Sequence, residues 1–186
     1  LEGWEPPSEI DQDGLDRIKA AFVDATRRAA RAGFDLIEVH AAHGYLLHQF
    51  LSPISNRRRD AYGGSLENRM RFPLEDFDAV RQAFPADRPG ILRLSATDWI
   101  EGGWDLTQSV EFAKALKNAG CEMIHVSSGG LDQRQEIVAG PGYQVRFADE
   151  IKRQAETATL AVGQITDPVQ AETILLSGQE DAVALA

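Results

Sequence analysis

The stretch Gly33-Phe-Asp-Leu-Ile-Glu-Val-His40-Ala-Ala-His43-Gly-Tyr45 decides how the fold is predicted, because an apolar run passes directly into a cluster of polar rings. The run from Phe34 to Val39 predicts a strand, and Gly33 ends the helix before it, as glycine does just past a helix end. Two imidazoles and a phenol then follow the strand within six residues. Such a group can bind a polar atom and offer it a proton, so we expect the functional site to face this turn.

Outward from this stretch, helices and strands alternate along the chain. Apolar residues spaced three and four apart predict a helix over Asp11–Ala32. Capping residues, and glycine or proline where a helix stops, mark the ends of the later segments. The predicted strands are Phe34–Val39, Gly90–Ala96, Glu122–Ser127, Thr159–Gly163 and Asp181–Ala186. The later predicted helices are Ser65–Phe84, which Pro73 should kink or divide, then Leu106–Asn118, Tyr143–Ala155 and Pro168–Leu176. Gly44–Gly64 is predicted to be a long ordered loop.

This order is one helix, four strand–helix units and a last strand, which predicts an α/β fold with a parallel sheet covered by helices. None of the predicted strands is followed by Gly-x-Gly-x-x-Gly, which argues against a nucleotide-binding doubly wound sheet. Five strands are too few to close a (β/α)₈ TIM barrel of about 250 residues. We therefore expect residues 1–186 to be a single partial TIM-barrel domain. It would hold about strands 4 to 8 of the parent barrel and lack the first three strands and the C-terminal end.

Composition sets the class of protein. With 43% hydrophobic and 26% charged residues the chain predicts a soluble globular protein, and a net charge of -10 argues against nucleic acid or an anionic membrane as partner. Arg57-Arg58-Arg59 is followed by Asp60, which favours a packed or salt-bridged turn. The single cysteine, Cys121, favours a reducing, cytoplasmic compartment and a small buried side chain. No apolar stretch approaches the ~18 residues of a membrane span.

Catalytic groups in such a barrel stand at the C-terminal ends of the strands. In chain order these ends are His40–Tyr45, Arg93–Asp98, Ser127–Gly130 and Gly163-Gln164. Neutral histidines can donate hydrogen bonds to a carbonyl or nitro oxygen, and a tyrosine can deliver a proton. An inward arginine can stabilise a buried anion, and glycine-rich ends can bring backbone N–H groups close to a phosphate.

Each of these residues also has a structural interpretation. His40 and His43 have the His-x-x-His spacing of a metal site, although no third ligand is evident and we predict no metal. His125 is interpreted as a core or packing residue within a strand, and His48 as a support for the loop. Arg93 could instead pair with a neighbouring carboxylate, and glycines after strands are turn residues by default.

Taken together, the motifs resemble the old yellow enzyme family of flavin-dependent ene reductases. The resemblance begins with His40-Ala-Ala-His43-Gly-Tyr45-Leu and covers nearly the whole chain. His-x-x-His, where another branch of the family has His-x-x-Asn, is similar to the thermophilic-like or xenobiotic reductase A subgroup. The further matching segments are Gln49–Pro53, Asn56–Phe72, Arg93-Leu-Ser-Ala-Thr-Asp98, Ser127-Ser-Gly129, Pro141-Gly-Tyr-Gln144 and Ala161-Val-Gly163.

The resemblance implies FMN at the mouth of a TIM barrel, NAD(P)H as the reductant, and a small-molecule enone or nitro alkene as the substrate. His40 and His43 would hold the substrate oxygen, and Tyr45 would protonate the α-carbon. Arg93 would lie by the pyrimidine edge of the flavin. Ser127 and Gly163 would help to seat its phosphate end.

The resemblance also implies a homo-oligomer in the parent protein. We expect the 186 residues alone to bind FMN poorly and turn over slowly. Three alternatives stay open: a flavin dehydrogenase or dienoyl reductase module of a larger protein, a metal-dependent lyase or isomerase that uses His40 and His43, and an inactive fragment.

Overall fold

The computed structural model describes residues 8–185, and these residues contain one five-stranded parallel sheet. Its strands pair in chain order, each with the next, so that no strand is inserted between two earlier ones. A doubly wound sheet reverses its strand order part-way, whereas a barrel adds each strand beside the last. The strands are β1 (Ile37–Ala41), β2 (Gly90–Ser95), β3 (Ile124–Ser127), β4 (Thr159–Ala161) and β5 (Ala182–Val183).

Within residues 8–185, six helices connect and precede these strands, and side-chain caps mark where most of them begin. Asp11, Ser65, Asp105 and Asp167 each accept a hydrogen bond from a backbone N–H of the first helical turn, the contact typical of N-cap residues. The helices are α1 (Gln12–Ala32), α2 (Leu46–Leu51), α3 (Leu66–Ala83), α4 (Leu106–Asn118), α5 (Val145–Ala155) and α6 (Pro168–Leu176).

Two expectations about helices were wrong. The segment Gly44–Gly64 is not wholly a loop, because it contains α2, which buries Leu47, Phe50 and Leu51 against the core. Of the two outcomes expected at Pro73, division of the helix is wrong, because α3 continues through the proline as one helix; a kink there stays a prediction. Phe72 and Phe77, on either side of the proline, are fully buried, so packing of this face holds the helix together where one backbone hydrogen bond is missing.

The strands are shorter than predicted or shifted along the chain. β1 begins at Ile37 rather than Phe34 and includes His40 and Ala41, so His40 lies within the strand. Phe34 is 61% exposed, because Gly33 turns the chain out of α1 before the sheet begins. β5 is reduced to Ala182–Val183, and Ala186 lies outside the described residues.

The apolar core fills the space between the sheet and its helices, with Leu92, Leu94 and Val126 on the helix-facing side of the strands. Cys121 is buried just before β3, as predicted for a small apolar residue, and burial raises its pKa to about 12. No helix within residues 8–185 is both long enough and apolar enough to cross a bilayer.

The basic run before Asp60 is a salt-bridged turn, as the sequence indicated. Arg58 pairs with Asp60 and with Glu9, and its guanidinium lies 5.7 Å from the centre of the Phe50 ring. Its neighbours Arg57 and Arg59 are exposed to solvent. The pair with Asp60 raises the pKa of Arg58, so this guanidinium stays charged.

Candidate functional site

The register of the parallel strands brings three of the polar side chains into one row. His40 of β1 is opposite Arg93 of β2, which is opposite His125 of β3. Neighbouring residues of a strand point to opposite faces, and Val39, Leu92 and Ile124 are buried beneath the helices. The row therefore lies on the other face of the sheet, which is the interior side of a barrel.

The predicted turn gathers its three rings at the C-terminal end of β1. The ring centre of His40 is 5.1 Å from that of His43 and 5.2 Å from that of Tyr45. His43 and Gly44 both have positive φ angles, 56° and 76°, and this brings the chain sharply round between the strand and α2. Tyr45 is 63% exposed, so its phenol is accessible from outside the chain.

Burial and a nearby cation keep both imidazoles of the turn neutral. Desolvation lowers the pKa of His43 to about 4, and the Arg93 guanidinium adds to the effect. The pKa of His40 is lowered by the same two causes, again with burial first. A neutral imidazole carries one N–H donor, so each ring can donate a hydrogen bond without placing a charge in the site.

Arg93 has no partner in the part of the chain that the structure describes. Its Nε is buried without a hydrogen bond, and no carboxylate of residues 8–185 forms an ion pair with it. The alternative that Arg93 serves only a neighbouring carboxylate is therefore wrong within these residues. A half-buried guanidinium that lacks an acceptor is suited to an anionic ligand.

His125 has a partner that the sequence did not reveal. Its Nδ1 lies 2.8 Å from the Glu38 carboxylate across the inner face of the sheet, and its Nε2 is buried without a partner. His125 is buried as predicted, but it belongs to a polar pair rather than to the apolar core. Glu38 lies two residues before His40 on the same face of β1.

Ser127 and Gly163 lie at the ends of β3 and just beyond β4, but neither is free of protein contacts. The Ser127 hydroxyl is 2.7 Å from His43 Nε2 and 3.4 Å from the amide oxygen of Gln144. A Cβ at Gly163 would lie 2.6 Å from Gln144 Nε2, so close packing requires glycine here. The structure thus brings Ser127 to the ring cluster, and a role for both residues in seating a phosphate stays a prediction.

A buried network behind the turn is the feature that sequence reasoning missed. His48, on α2, is fully buried and hydrogen-bonded both to the backbone of Gly44 and to Asp98. The sequence predicted only that His48 supports the loop, and its contact with the backbone of Gly44 is a support of that kind. Asp98 is fifty residues away along the chain. Only the pairing of β1 with β2 brings the two together.

Within residues 8–185, no group of three or more His, Cys, Asp or Glu side chains has a geometry that could hold a metal ion. The side-chain contacts of His40 and His43 in these residues are with each other, with Tyr45 and with Ser127.

With this geometry in place, comparison with known proteins decides the family. The sequence profile of the NADH:flavin oxidoreductase / NADH oxidase family matches residues 4–186. The chain belongs to this family. An NADPH dehydrogenase of Bacillus subtilis (strain 168) is 48% identical over 177 residues, which are 95% of this chain and 52% of that protein. An NADPH dehydrogenase of Geobacillus sp. (strain WCH70) is 48% identical over 180 residues, or 97% of this chain and 52% of its own length.

Solved structures of the family have the same fold. Morphinone reductase superposes with a TM-score of 0.79 at 34% identity over 97% of this chain and 47% of its own. A 2-naphthoyl-CoA reductase gives 0.91 at 28% identity, over 99% of this chain and 29% of its own. An old yellow enzyme homologue from Zymomonas mobilis gives 0.76 at 26% identity, over 99% and 52%. The predicted family and the partial TIM barrel are confirmed, and the chain spans about half the length of the curated relatives it matches.

Proposed function

We propose that the protein to which this chain belongs is an FMN-dependent, NAD(P)H-consuming oxidoreductase that reduces activated C=C bonds of α,β-unsaturated carbonyl or nitro compounds. Membership of the family and the relatives named NADPH dehydrogenase support the cofactor and the reductant. The observation that carries the choice of substrate is the ring cluster of His40, His43 and Tyr45 beside Arg93.

The residues present suit a flavin on the inner face of the sheet. Arg93 offers a half-buried guanidinium whose Nε has no acceptor in the described residues, and the reduced isoalloxazine ring carries negative charge at its pyrimidine edge. Ser127 and Gly163 lie at the next two strand ends, where the phosphate end would be held. When bound, FMN supplies the two-electron chemistry of the reaction, taking up hydride equivalents from NAD(P)H and passing them to the alkene.

His40 and His43 would bind the oxygen of the activating group. Both imidazoles are neutral, since burial and the Arg93 charge lower their pKa values, so each carries one N–H. His43 would donate to the substrate oxygen through Nδ1, with its Nε2 accepting from the Ser127 hydroxyl. Hydride addition at the β-carbon moves electron density onto this oxygen. Hydrogen bonds already directed at it therefore stabilise the transition state more than the ground state.

Tyr45 would supply the proton that completes the reduction. The phenol lies beside His40 but is largely exposed, so it can contact a substrate held by the two imidazoles and recover its proton from solvent. The product gains a hydride on the β-carbon and a proton on the α-carbon, and NAD(P)H is oxidised to NAD(P)⁺. A phenolic O–H is one of the side-chain groups that can act as a general acid, which suits this task.

The same proposal covers the setting of the reaction. The partner is a small molecule, the net charge of -10 disfavours nucleic acid, and we place the protein in the cytoplasm as a homo-oligomer.

Replacing the phenol tests the proposal. In the full-length protein loaded with FMN, Tyr45→Phe should slow the oxidation of reduced flavin by cyclohexenone about 100-fold or more, because a general acid is lost. Reduction of the flavin by NADPH should change little, since that half-reaction needs no proton from Tyr45. Stopped-flow absorbance of the flavin measures the two half-reactions separately.

Tyr62→Phe is the matched control, because it also removes only a hydroxyl, from a ring that packs edge-on against Phe50 and Phe72. It should leave both half-reactions near the unmodified rates. An equal loss of both half-reactions in Tyr45→Phe would contradict proton donation. Failure of the unmodified protein to reduce cyclohexenone, maleimide or a nitroalkene would reject the substrate class.

A further inference from the structure

We propose that His48 and Asp98 are positioning residues that hold the His40–Tyr45 turn in its working geometry, with His48 fixed as one neutral tautomer. This inference rests on the proposed function, because a fixed turn affects the reaction only if His40, His43 and Tyr45 act on the substrate. It concerns two side chains that lie behind the ring cluster rather than in contact with a substrate. Both side chains are fully buried, at 0% exposure.

The contacts of His48 determine which ring nitrogen carries the proton. The backbone N–H of Gly44 donates to His48 Nδ1 at 3.0 Å, so Nδ1 must present a lone pair. The other nitrogen, Nε2, lies 2.9 Å from Asp98 Oδ1, a carboxylate oxygen that accepts. His48 therefore carries its proton on Nε2, and it links the Asp98 carboxylate to the peptide of Gly44.

Asp98 is held as firmly as the imidazole that it orients. Its second oxygen accepts from the Ser52 hydroxyl at 2.6 Å and from the backbone N–H of Trp104 at 2.7 Å. Together with His48, three donors therefore converge on one buried carboxylate: two from α2 and its C-cap, and one from the backbone of Trp104. Such an arrangement keeps the orientation of the carboxylate fixed.

The turn needs an external support because its backbone is unusual. His43 has a φ of 56°, in the left-handed region that side chains other than glycine rarely adopt. The Ser95 hydroxyl holds one peptide, since it accepts from the His43 N–H at 3.0 Å and donates to the Gly129 carbonyl at 2.8 Å. The next peptide, that of Gly44, is held by His48.

The Gly44 peptide lies between His43 and Tyr45 in the chain, whereas the peptide held by Ser95 precedes His43. A change in the Gly44 peptide plane therefore moves Tyr45 relative to both imidazoles. Misplacement of a catalytic group by about 1 Å can cost 100-fold in rate, so a fixed acceptor for the Gly44 N–H has a direct catalytic consequence.

Two substitutions of His48 separate the two contacts. In His48→Asn, the amide oxygen can replace Nδ1 as the acceptor for Gly44, while the bond to Asp98 is lost. In His48→Gln, the longer amide can donate to Asp98 in place of Nε2, but the acceptor for Gly44 is lost. Both replace an imidazole by an amide, so each is the control for the other.

In the full-length FMN-loaded protein, His48→Gln should slow the reaction of reduced flavin with cyclohexenone about tenfold or more, because the turn loses its anchor. His48→Asn should keep most of the rate, and reduction by NADPH should be similar in both. Hydrogen exchange at the Gly44 amide gives a readout independent of activity. This amide should exchange faster in His48→Gln than in His48→Asn.

Asp98→Asn tests the tautomer. An amide N–H directed at Nε2 would favour the proton on Nδ1, which would then oppose the Gly44 N–H. This variant should show the same slow alkene step as His48→Gln. Leu116→Ala, a buried core change in α4, is the control for a general loss of stability and should leave the ratio of the two half-reactions unchanged.

Several results would overturn the inference. Equal alkene rates in His48→Gln and His48→Asn, with equal Gly44 exchange, would show that the acceptor for Gly44 is unimportant. If a variant fails to fold, imidazole nitrogen NMR of the unmodified protein decides, and a protonated Nδ1 on His48 would exclude the proposed tautomer. Absence of alkene reduction in the unmodified protein would reject the proposed function but leave the NMR result to stand on its own.

Discussion

At the scale of single residues, Asp76 is the group whose surroundings conflict most with its chemistry. It lies on the inner side of α3 at 0% exposure, and neither carboxyl oxygen has a hydrogen-bond partner in the described residues. Burial raises its pKa from an ordinary 3.8 to about 7, against a smaller opposing effect of Lys19. The folded protein therefore holds a proton here that the unfolded chain releases.

The sign of the pH effect follows from this difference. Between pH 3.8 and about 7 the folded state binds more protons than the unfolded state, so the free energy of unfolding falls as pH rises. Asp76→Asn cannot ionise and should remove this part of the fall, on the order of 4 kcal/mol. Urea unfolding at several pH values measures the difference between variant and unmodified protein. Asp78→Asn, an exposed neighbour on the same helix, is the control. Parallel curves for all three proteins would contradict the prediction.

Some residues of the site can be predicted from the sequence and others cannot, depending on whether the residues that meet are close together in the chain. His40, His43 and Tyr45 fall within six residues at the end of a predicted strand, so their grouping is predictable from the sequence alone. Asp98 could not be matched with His48, because sequence spacing does not report which side chains meet behind a turn. Glu38 was missed as the partner of His125 for the same reason, since the two are 87 residues apart.

At the scale of elements, the loop after β3 is fitted against the turn after β1. Gly130 has a φ of 92°, and a Cβ on it would lie 2.5 Å from the Cα of His43. On the other side, a Cβ on Gly44 would lie 2.4 Å from the carbonyl oxygen of Gly130. The two glycines therefore let two backbones come into direct contact at the ring cluster.

Gly130→Ala should consequently destabilise the protein by two effects. The left-handed backbone costs about 1–2 kcal/mol for alanine, and the contact with His43 adds about 1–3 kcal/mol of overpacking. Gly64→Ala is the matched control, because Gly64 has a φ of 83° but nothing lies within 4 Å of the added Cβ. Chemical denaturation should show a larger loss for Gly130→Ala, together with faster exchange of the His43 and Gly44 amides. Equal losses in both variants would mean that the close approach has no energetic consequence.

Elements were predictable where a local signal marks their ends. Asp105 before α4 and Asp167 before Pro168 are caps that are recognisable in the sequence, and both helices begin there. The short helix α2 escaped prediction, because six residues carry less than two turns of apolar periodicity. The continuity of α3 through Pro73 escaped it as well, since the packing of Phe72 and Phe77 outweighs a local preference to break.

At the scale of the molecule, the inner face of the sheet has polar residues but no closed barrel around them within residues 8–185. Each end strand, β1 and β5, has one strand neighbour in the described sheet. Phe34 and Leu36 are 61% and 43% exposed, and they border a largely apolar cleft of about 380 Å³ that runs between α1 and β1 to His40. Strand edges and apolar surface of this kind favour association with other chains.

The 186-residue span should therefore bind FMN far more weakly than the full-length protein, because Arg93 and the strand ends offer one side of a site. Titration followed by quenching of free FMN fluorescence should give a dissociation constant at least about 100-fold higher for the span, corresponding to about 2.7 kcal/mol of lost binding. Sedimentation should show concentration-dependent association, and Leu36→Lys, on the exposed edge, should reduce it without altering FMN affinity. A tight yellow complex of the monomeric span would show instead that these strands alone form the flavin site.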